Sequence, residues 1–163
     1  MDWMPAIARW IHFLAGITWI GLLYYFNFVQ MAALKDAAAD GTAAGISKHV
    51  APRALLWFRW AAVVTWLAGA ELLGANFTDA FLLRNGYEAI GLGAWLGTIM
   101  LFNVWVLIWP NRQKILGMVP ADDAAKAKAR RVAMLASRTN VMLSIPMLFF
   151  MANGLSHRAV LGF

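Results

Sequence analysis

Long uncharged runs dominate the hydrophobic and polar pattern of this chain. Residues 10–34, 89–111 and 139–157 contain no Asp, Glu, Lys or Arg over 25, 23 and 19 residues. Each run reaches the roughly 17 to 20 residues that an apolar helix needs to cross the hydrocarbon core of a bilayer. A fourth run, residues 54–73, carries only Arg59 and Glu71, toward its two ends. The pattern predicts four membrane-spanning helices.

The predicted fold class is an all-α membrane protein, an antiparallel bundle of four transmembrane helices. No segment alternates apolar and polar residues with the period of two that a barrel strand requires. We place the helices near residues 6–31, 54–75, 87–110 and 133–156 of one domain that spans residues 1–163. The stretch "PADDAAKAKARRVAMLASR" has acids first and cations later, which predicts a helical extension of the last span over about 121–138.

The net charge of +6 is distributed unevenly along the chain. Three cations flank the other ends of the helices, at Arg9, Arg84 and Arg158. Eleven of the fourteen cations lie in or beside the two long loops: Lys35, Lys48, Arg53, Arg59, Arg112, Lys114, Lys126, Lys128, Arg130, Arg131 and Arg138. The positive-inside rule then places both long loops in the cytoplasm and both termini outside. We interpret the basic loops as an orientation signal beside the lipid bilayer, and we predict no nucleic-acid partner.

Histidine carries the candidate chemistry, because the chain has no cysteine for thiolate metal sites, iron–sulfur clusters or covalently attached haem. His12 lies inside the first span, where an ionisable side chain is a functional-site candidate. Counting about 1.5 Å per residue, His12 is about 27 Å from Gln30 and His157 is about 28 Å from Arg138. The two histidines therefore reach similar heights and are our candidate axial ligands for the iron of a haem b.

Two further candidates near this site have alternative interpretations. Glu71 reaches the same height on the second helix and would accept the second ring proton of His12; equally, it would pair with Arg9 or Arg84. His157 is either an iron ligand or a solvated histidine at a helix end. A chain without any cofactor also stays open.

Four blocks of the sequence are similar to one known family. They are "WIHFLAGITWIGLLYYFNFVQ", "LLWFRWAAVVTWLAG", "NVWVLIWPNRQKI" and "ASRTNVMLSIPMLFFM", around His12, Arg59, Asn111 and Arg138. They resemble the membrane domain at the N-terminus of bacterial membrane-bound urate hydroxylases, the urate oxidase N-terminal family. The first helix alone also resembles small four-helix haem-binding protoporphyrinogen oxidases.

The resemblance implies a redox function in the bacterial inner membrane, namely urate hydroxylation with electrons passing outward to a c-type cytochrome. Such hydroxylases are longer and end in a cytochrome c domain with a CxxCH motif, whereas this chain has no cysteine and ends at Phe163. We therefore expect the electron acceptor to be a separate protein, such as a cytochrome c, that partners this chain in a membrane complex. The alternative is that the chain has no urate hydroxylase activity.

A planar, largely monoanionic substrate calls for a cation and amide groups around its site. The resemblance blocks favour the cytoplasmic end, where the candidates for substrate or anion binding are Arg59, Arg112, Arg138, Asn111 and Asn140. Such residues also anchor helix ends, and Arg59 would equally extend to the lipid headgroups. Two other functions stay open: a non-catalytic haem b electron carrier, and a cofactor-free accessory subunit of a respiratory or photosynthetic membrane complex.

Overall fold

The computed structural model describes residues 3–153, and within them every regular element is helical. Four long helical segments are present, which we number α1 (Met4–Ala39), α2 (Ala43–Phe81, with a 3-10 turn at Gly74–Asn76), α3 (Glu88–Ile115) and α4 (Asp123–Asn153). Each is long and apolar enough to cross a membrane. The predicted fold class of four membrane helices without strands is thus confirmed over the described residues, and the chain is a multi-pass membrane protein.

Short turns connect the helices, and glycine occupies a left-handed position in each turn. Gly41 has a φ of 73° between α1 and α2, Gly86 has 82° before α3, and Gly117 has 73° before α4. Residues with a side chain rarely adopt this backbone conformation, whereas glycine adopts it at no steric cost. At the start of α4, the Asp122 carboxylate accepts a hydrogen bond from the Ala125 backbone N–H at 2.7 Å, which caps the helix.

The bundle consists of two closely packed hairpins, α1 with α2 and α3 with α4, and the two hairpins contact each other less extensively. The core between them contains Leu23, Phe26, Phe58 and Met100, with Phe26 and Phe58 edge to face at 5.4 Å between ring centroids. Large apolar side chains also cover the outside, as expected where lipid replaces water as the solvent.

A π-helical turn lies at the start of α2, at Ile46–Val50, and two further widened turns interrupt α1 at Tyr25–Gln30 and α3 at Asn103–Ile108. The latter two segments contain buried polar residues, Gln30 in α1 and Asn103 in α3. A π-helical turn rotates the side chains that follow it relative to a regular α-helix, and such turns are frequent at functional sites. The two widened turns therefore bring amide side chains into the interior at the basic half of the bundle.

Candidate functional site

His12 lies on α1 where this helix packs against α2. Its Nδ1 is 2.8 Å from the backbone carbonyl oxygen of Thr65. Because a carbonyl oxygen only accepts, Nδ1 must carry the proton and donate it. The bond fixes the neutral ring in one tautomer and leaves the lone pair of Nε2 uncommitted to this contact.

Small residues on α2 make room for this imidazole. A Cβ atom added at Gly69 would lie 3.0 Å from His12 Cε1 and 3.2 Å from Nδ1, closer than ordinary contacts between side chains. One turn along α1, the same test at Gly16 finds the Thr65 methyl group at 3.7 Å, an ordinary contact. Glycine at position 69 is therefore what allows the ring to reach the α2 backbone.

The other predicted members of the haem site are placed differently. Glu71 is exposed on α2, and the ring hydrogen bond predicted for it is made by the Thr65 carbonyl. His157 lies outside the described residues. Among the aromatic residues near His12 in sequence, Trp10 and Phe13 are exposed, whereas Trp19 is buried in the core.

Polar side chains join the helices farther along the bundle. Asn140, fully buried on α4, accepts a hydrogen bond from Asn103 Nδ2 at 2.8 Å and donates one to the Met100 carbonyl at 3.0 Å. Between α1 and α4, Asn27 Nδ2 donates to Ser137 Oγ at 2.8 Å. Asn140, predicted as a substrate contact, thus has both ends of its amide engaged in joining α3 to α4.

The remaining anion candidates are also distinguished by their surroundings. Arg59 places its guanidinium carbon 3.7 Å from the ring centroid of Trp109, and Arg138 is exposed. Asn111 donates to the Leu107 carbonyl of its own helix at 2.7 Å. Arg112 differs from these, because its Nε is buried without a hydrogen-bond partner among the described residues.

Two buried acceptors lie at the same end of the bundle as Arg112. Asn27 Oδ1 and Gln30 Oε1 have no hydrogen-bond partner within residues 3–153, and Gln30 is only 3% exposed. Neither residue was predicted from the sequence. The available signal was their spacing, since polar residues three apart in an apolar span lie on one helix face.

The hydrogen bonds between helices give the relative depth of these groups. Asn27 lies level with Ser137 and Asn103 with Asn140, so the two levels are three residues apart on α4. The Asn103 level is the one farther from the basic end. Arg112 follows Asn103 by nine residues toward that end, so at 1.5 Å per residue it lies about 9 Å beyond the Asn27 level. Gln30 follows Asn27 by three residues and lies about 5 Å beyond it. One buried donor and two buried acceptors therefore occupy the same third of the bundle.

Comparison with known proteins identifies one family. The sequence profile described as urate oxidase N-terminal matches residues 76–159, slightly more than half of the chain. The match includes α3, α4 and Arg112, and it excludes His12, Asn27 and Gln30. No curated protein and no solved structure matches the chain.

Proposed function

This chain belongs to the urate oxidase N-terminal family, and from that membership we propose that it is a redox-linked membrane domain of the urate hydroxylase type. It would pass electrons from a small planar substrate to a c-type cytochrome that lies outside these 163 residues. The observation that carries the redox assignment is the hydrogen bond from His12 Nδ1 to the Thr65 carbonyl inside the membrane.

The surroundings of His12 support our proposal that it is a haem b ligand. Histidines that ligate iron through one ring nitrogen usually donate the other N–H to a carbonyl or carboxylate, which orients the ring and fixes its tautomer. The Thr65 carbonyl does this for His12, and Gly69 leaves room for the ring. His12 would bind the iron through Nε2, and a bound haem would supply a one-electron redox centre. We retain His157 as the proposed second ligand.

The absorption spectrum of the purified protein, reduced minus oxidised, tests this assignment. We expect a haem b spectrum in the wild type, and we expect His12→Ala to lose the Soret band or to convert a low-spin spectrum to high-spin. His49→Ala is the matched control, because His49 is exposed near the start of α2, at the opposite end of the bundle from His12. An unchanged spectrum in a folded His12→Ala protein would falsify the ligand assignment.

The same proposal places the substrate at the basic end of the bundle, beside Arg112, Gln30 and Asn27. A buried polar group without a partner costs free energy, about 1–3 kcal/mol, so these groups favour a ligand that completes their hydrogen bonds. Urate is planar and largely monoanionic, and it carries both N–H donors and carbonyl acceptors. Its N–H groups would donate to the two amide oxygens, and its anionic edge would accept from Arg112.

Equilibrium binding of urate to the solubilised protein tests this site. Arg112→Gln removes a charged donor, and we expect affinity to fall roughly 10- to 100-fold. Arg131→Gln makes the same change at an exposed cation on α4, and we expect affinity to stay near that of the wild type. If both variants lose the same affinity for urate, the effect comes from the net positive charge of the protein, and the proposal of a buried site is contradicted.

Turnover distinguishes the enzyme from the accessory subunit. Oxidation of urate releases electrons, and no cysteine is present in these 163 residues to attach a c-type haem that would accept them. We therefore expect urate consumption only when a cytochrome c is supplied. Steady consumption by the purified chain alone contradicts this proposal. Absence of urate binding even in an assembled complex would favour an accessory subunit.

The orientation that we propose has both termini on the outer side of the inner membrane, because the basic loops lie at the opposite end. Reporter fusions to the C-terminus measure this directly. We expect activity only from a reporter that functions in the periplasm. A C-terminal tag that proteases reach only from the cytoplasmic side would reverse the orientation.

A further inference from the structure

An apolar groove runs along the outside of the bundle between α2 and α3. It has a volume of about 400 Å³ and is lined by Val63 and Trp66 from α2 and by Leu101, Phe102 and Trp105 from α3. Both indole N–H groups in this lining are already engaged, Trp66 with Thr98 Oγ1 at 2.9 Å and Trp105 with the Arg59 carbonyl at 3.2 Å. The groove therefore offers hydrocarbon surface and suits an acyl chain.

A cation stands at the basic end of this groove. Arg59, Val63 and Trp66 follow the i, i+4, i+7 spacing and share one face of α2. Trp105 and Trp109 are one turn apart on α3, and the Arg59 guanidinium stacks on the Trp109 ring. The lining of the groove thus continues directly into the Arg59–Trp109 pair.

The charge of Arg59 is not neutralised within the part of the chain that the structure describes. There, the ion pair present joins Arg84 to Asp79, at the other end of the helices. The Arg59 guanidinium stacks on Trp109, and among the same residues its N–H groups have no hydrogen-bond acceptor. Guanidinium donors match phosphate oxygens in geometry as well as charge.

Exposed tryptophans locate this pair at the membrane boundary. Trp57 and Trp60 on α2 are 67% and 51% exposed, beside Arg59 in sequence. Tryptophan is enriched at the headgroup level of membranes, and the cytoplasmic leaflet carries anionic lipids. We propose that this groove binds one anionic phospholipid, with an acyl chain along Val63, Leu101 and Phe102 and its phosphate on Arg59. This proposal does not depend on the proposed redox function.

Lipid retention measures the headgroup preference that the proposal requires, since any bilayer lipid would fill an apolar groove. The protein is reconstituted in vesicles of equimolar phosphatidylglycerol and phosphatidylcholine, extracted, and analysed by native mass spectrometry. We expect the retained lipid to be enriched in phosphatidylglycerol, and Arg59→Gln to lower that enrichment about fivefold. Arg59→Lys keeps the charge and should keep most of the enrichment.

Two controls separate this site from general effects. Arg130→Gln removes an exposed cation from α4 at the same end and should leave the enrichment unchanged. Val63→Phe fills the groove and should reduce retention of both lipids. Equal enrichment in Arg59→Gln and the wild type, an equal loss in Arg130→Gln, or full retention in Val63→Phe would each overturn the proposal. So would a dimer without bound lipid, because a second copy of the chain would then occupy the groove.

Discussion

The two hairpins use their buried polar groups differently. In α3–α4, the Asn140 side chain is hydrogen-bonded at both its oxygen and its nitrogen, to Asn103 and to the Met100 backbone. In α1, the acceptor oxygens of Asn27 and Gln30 are buried and unpaired among the described residues. His12 has one ring nitrogen bound and the other uncommitted to that bond. Asn140 joins two helices through both ends of its amide, whereas Asn27 joins α1 to α4 through its nitrogen alone. The oxygens of Asn27 and Gln30 retain capacity for a ligand.

This difference indicates which polar residues stabilise the bundle. An interhelical hydrogen bond in a membrane contributes about 0.6 to 2 kcal/mol, while an unpaired buried group opposes folding. Mutations in the α3–α4 contact should therefore lower stability, and mutations of Gln30, whose acceptor oxygen is unpaired, should lower binding without lowering stability. Variants of the two kinds of buried residue test this contrast, and Asn140 should show the largest effect on stability.

Asn140→Leu should produce the largest loss of stability. It removes two buried hydrogen bonds and leaves Asn103 Nδ2 unpaired, while the Met100 carbonyl keeps its bond from the Asn103 backbone N–H. We expect the free energy of unfolding in mixed micelles to fall by about 2 kcal/mol. Asn153→Leu is the control on the same helix, because among the described residues half-buried Asn153 bonds only to the Phe149 carbonyl of α4, and it should change stability by less than about 0.5 kcal/mol. Similar losses in both variants would contradict the joining role of Asn140.

Gly69→Ala should have an intermediate effect, at the α1–α2 contact. The new methyl group would press on the His12 ring and weaken its bond to Thr65. We expect a net loss of about 1 kcal/mol, measured by the same unfolding experiment. If haem b is bound at His12, its absorption bands should also shift.

Gly97→Ala is the matched control for this glycine substitution. Gly97 lies within α3, and a Cβ added there meets nothing within 4 Å. Replacing glycine by alanine inside a helix then stabilises the protein, by about 0.5 to 1 kcal/mol. The two alanine variants should therefore change stability in opposite directions. A gain in both would show that the His12 ring moves aside without cost.

The sequence predicted the helices better than it predicted their contacts. Long uncharged runs are sufficient to identify four spans, because only a helix or a closed barrel satisfies the backbone in lipid. The end of α1 lies beyond the predicted span, at Ala39, because Lys35 and Asp36 remain helical outside the apolar run. The family resemblance was likewise confirmed, over residues 76–159.

The partners of the site residues depend on details that the sequence does not display. The His12 ring bonds to a backbone carbonyl, and every residue has one, so no side-chain pattern marks Thr65 as its partner. Asn140 and Gln30 are both amides in apolar spans. The rotation of each helix about its axis decides which of the two amides faces a hydrogen-bond partner. Position within the membrane was therefore predictable, whereas hydrogen-bond partners were not.

Gln30→Met should have the smallest effect on stability, and its sign tests the comparison most directly. Methionine has a similar length and fills the same buried position without an unpaired acceptor oxygen. Removing that oxygen removes a desolvation cost, so the free energy of unfolding should stay constant or rise by up to about 1 kcal/mol. A loss as large as that of Asn140→Leu would show that Gln30 is also structural.

Urate affinity supplies the second half of this test. If Gln30 Oε1 accepts a hydrogen bond from the substrate, Gln30→Met should lower affinity about tenfold, since a hydrogen bond to a buried group contributes about 1.4 kcal/mol. Gln113→Met makes the same substitution at a half-buried position of α3 near the basic end, and it should change neither quantity by much. If Gln30→Met keeps its stability and loses affinity for urate, the Gln30 oxygen is an acceptor that pairs with the ligand. A residue that joins two helices, such as Asn140, behaves differently, because replacing it lowers the free energy of unfolding. If the variant keeps its affinity for urate, the proposed contact between the substrate and α1 is wrong, and the role of Asn140 in joining α3 to α4 is unaffected.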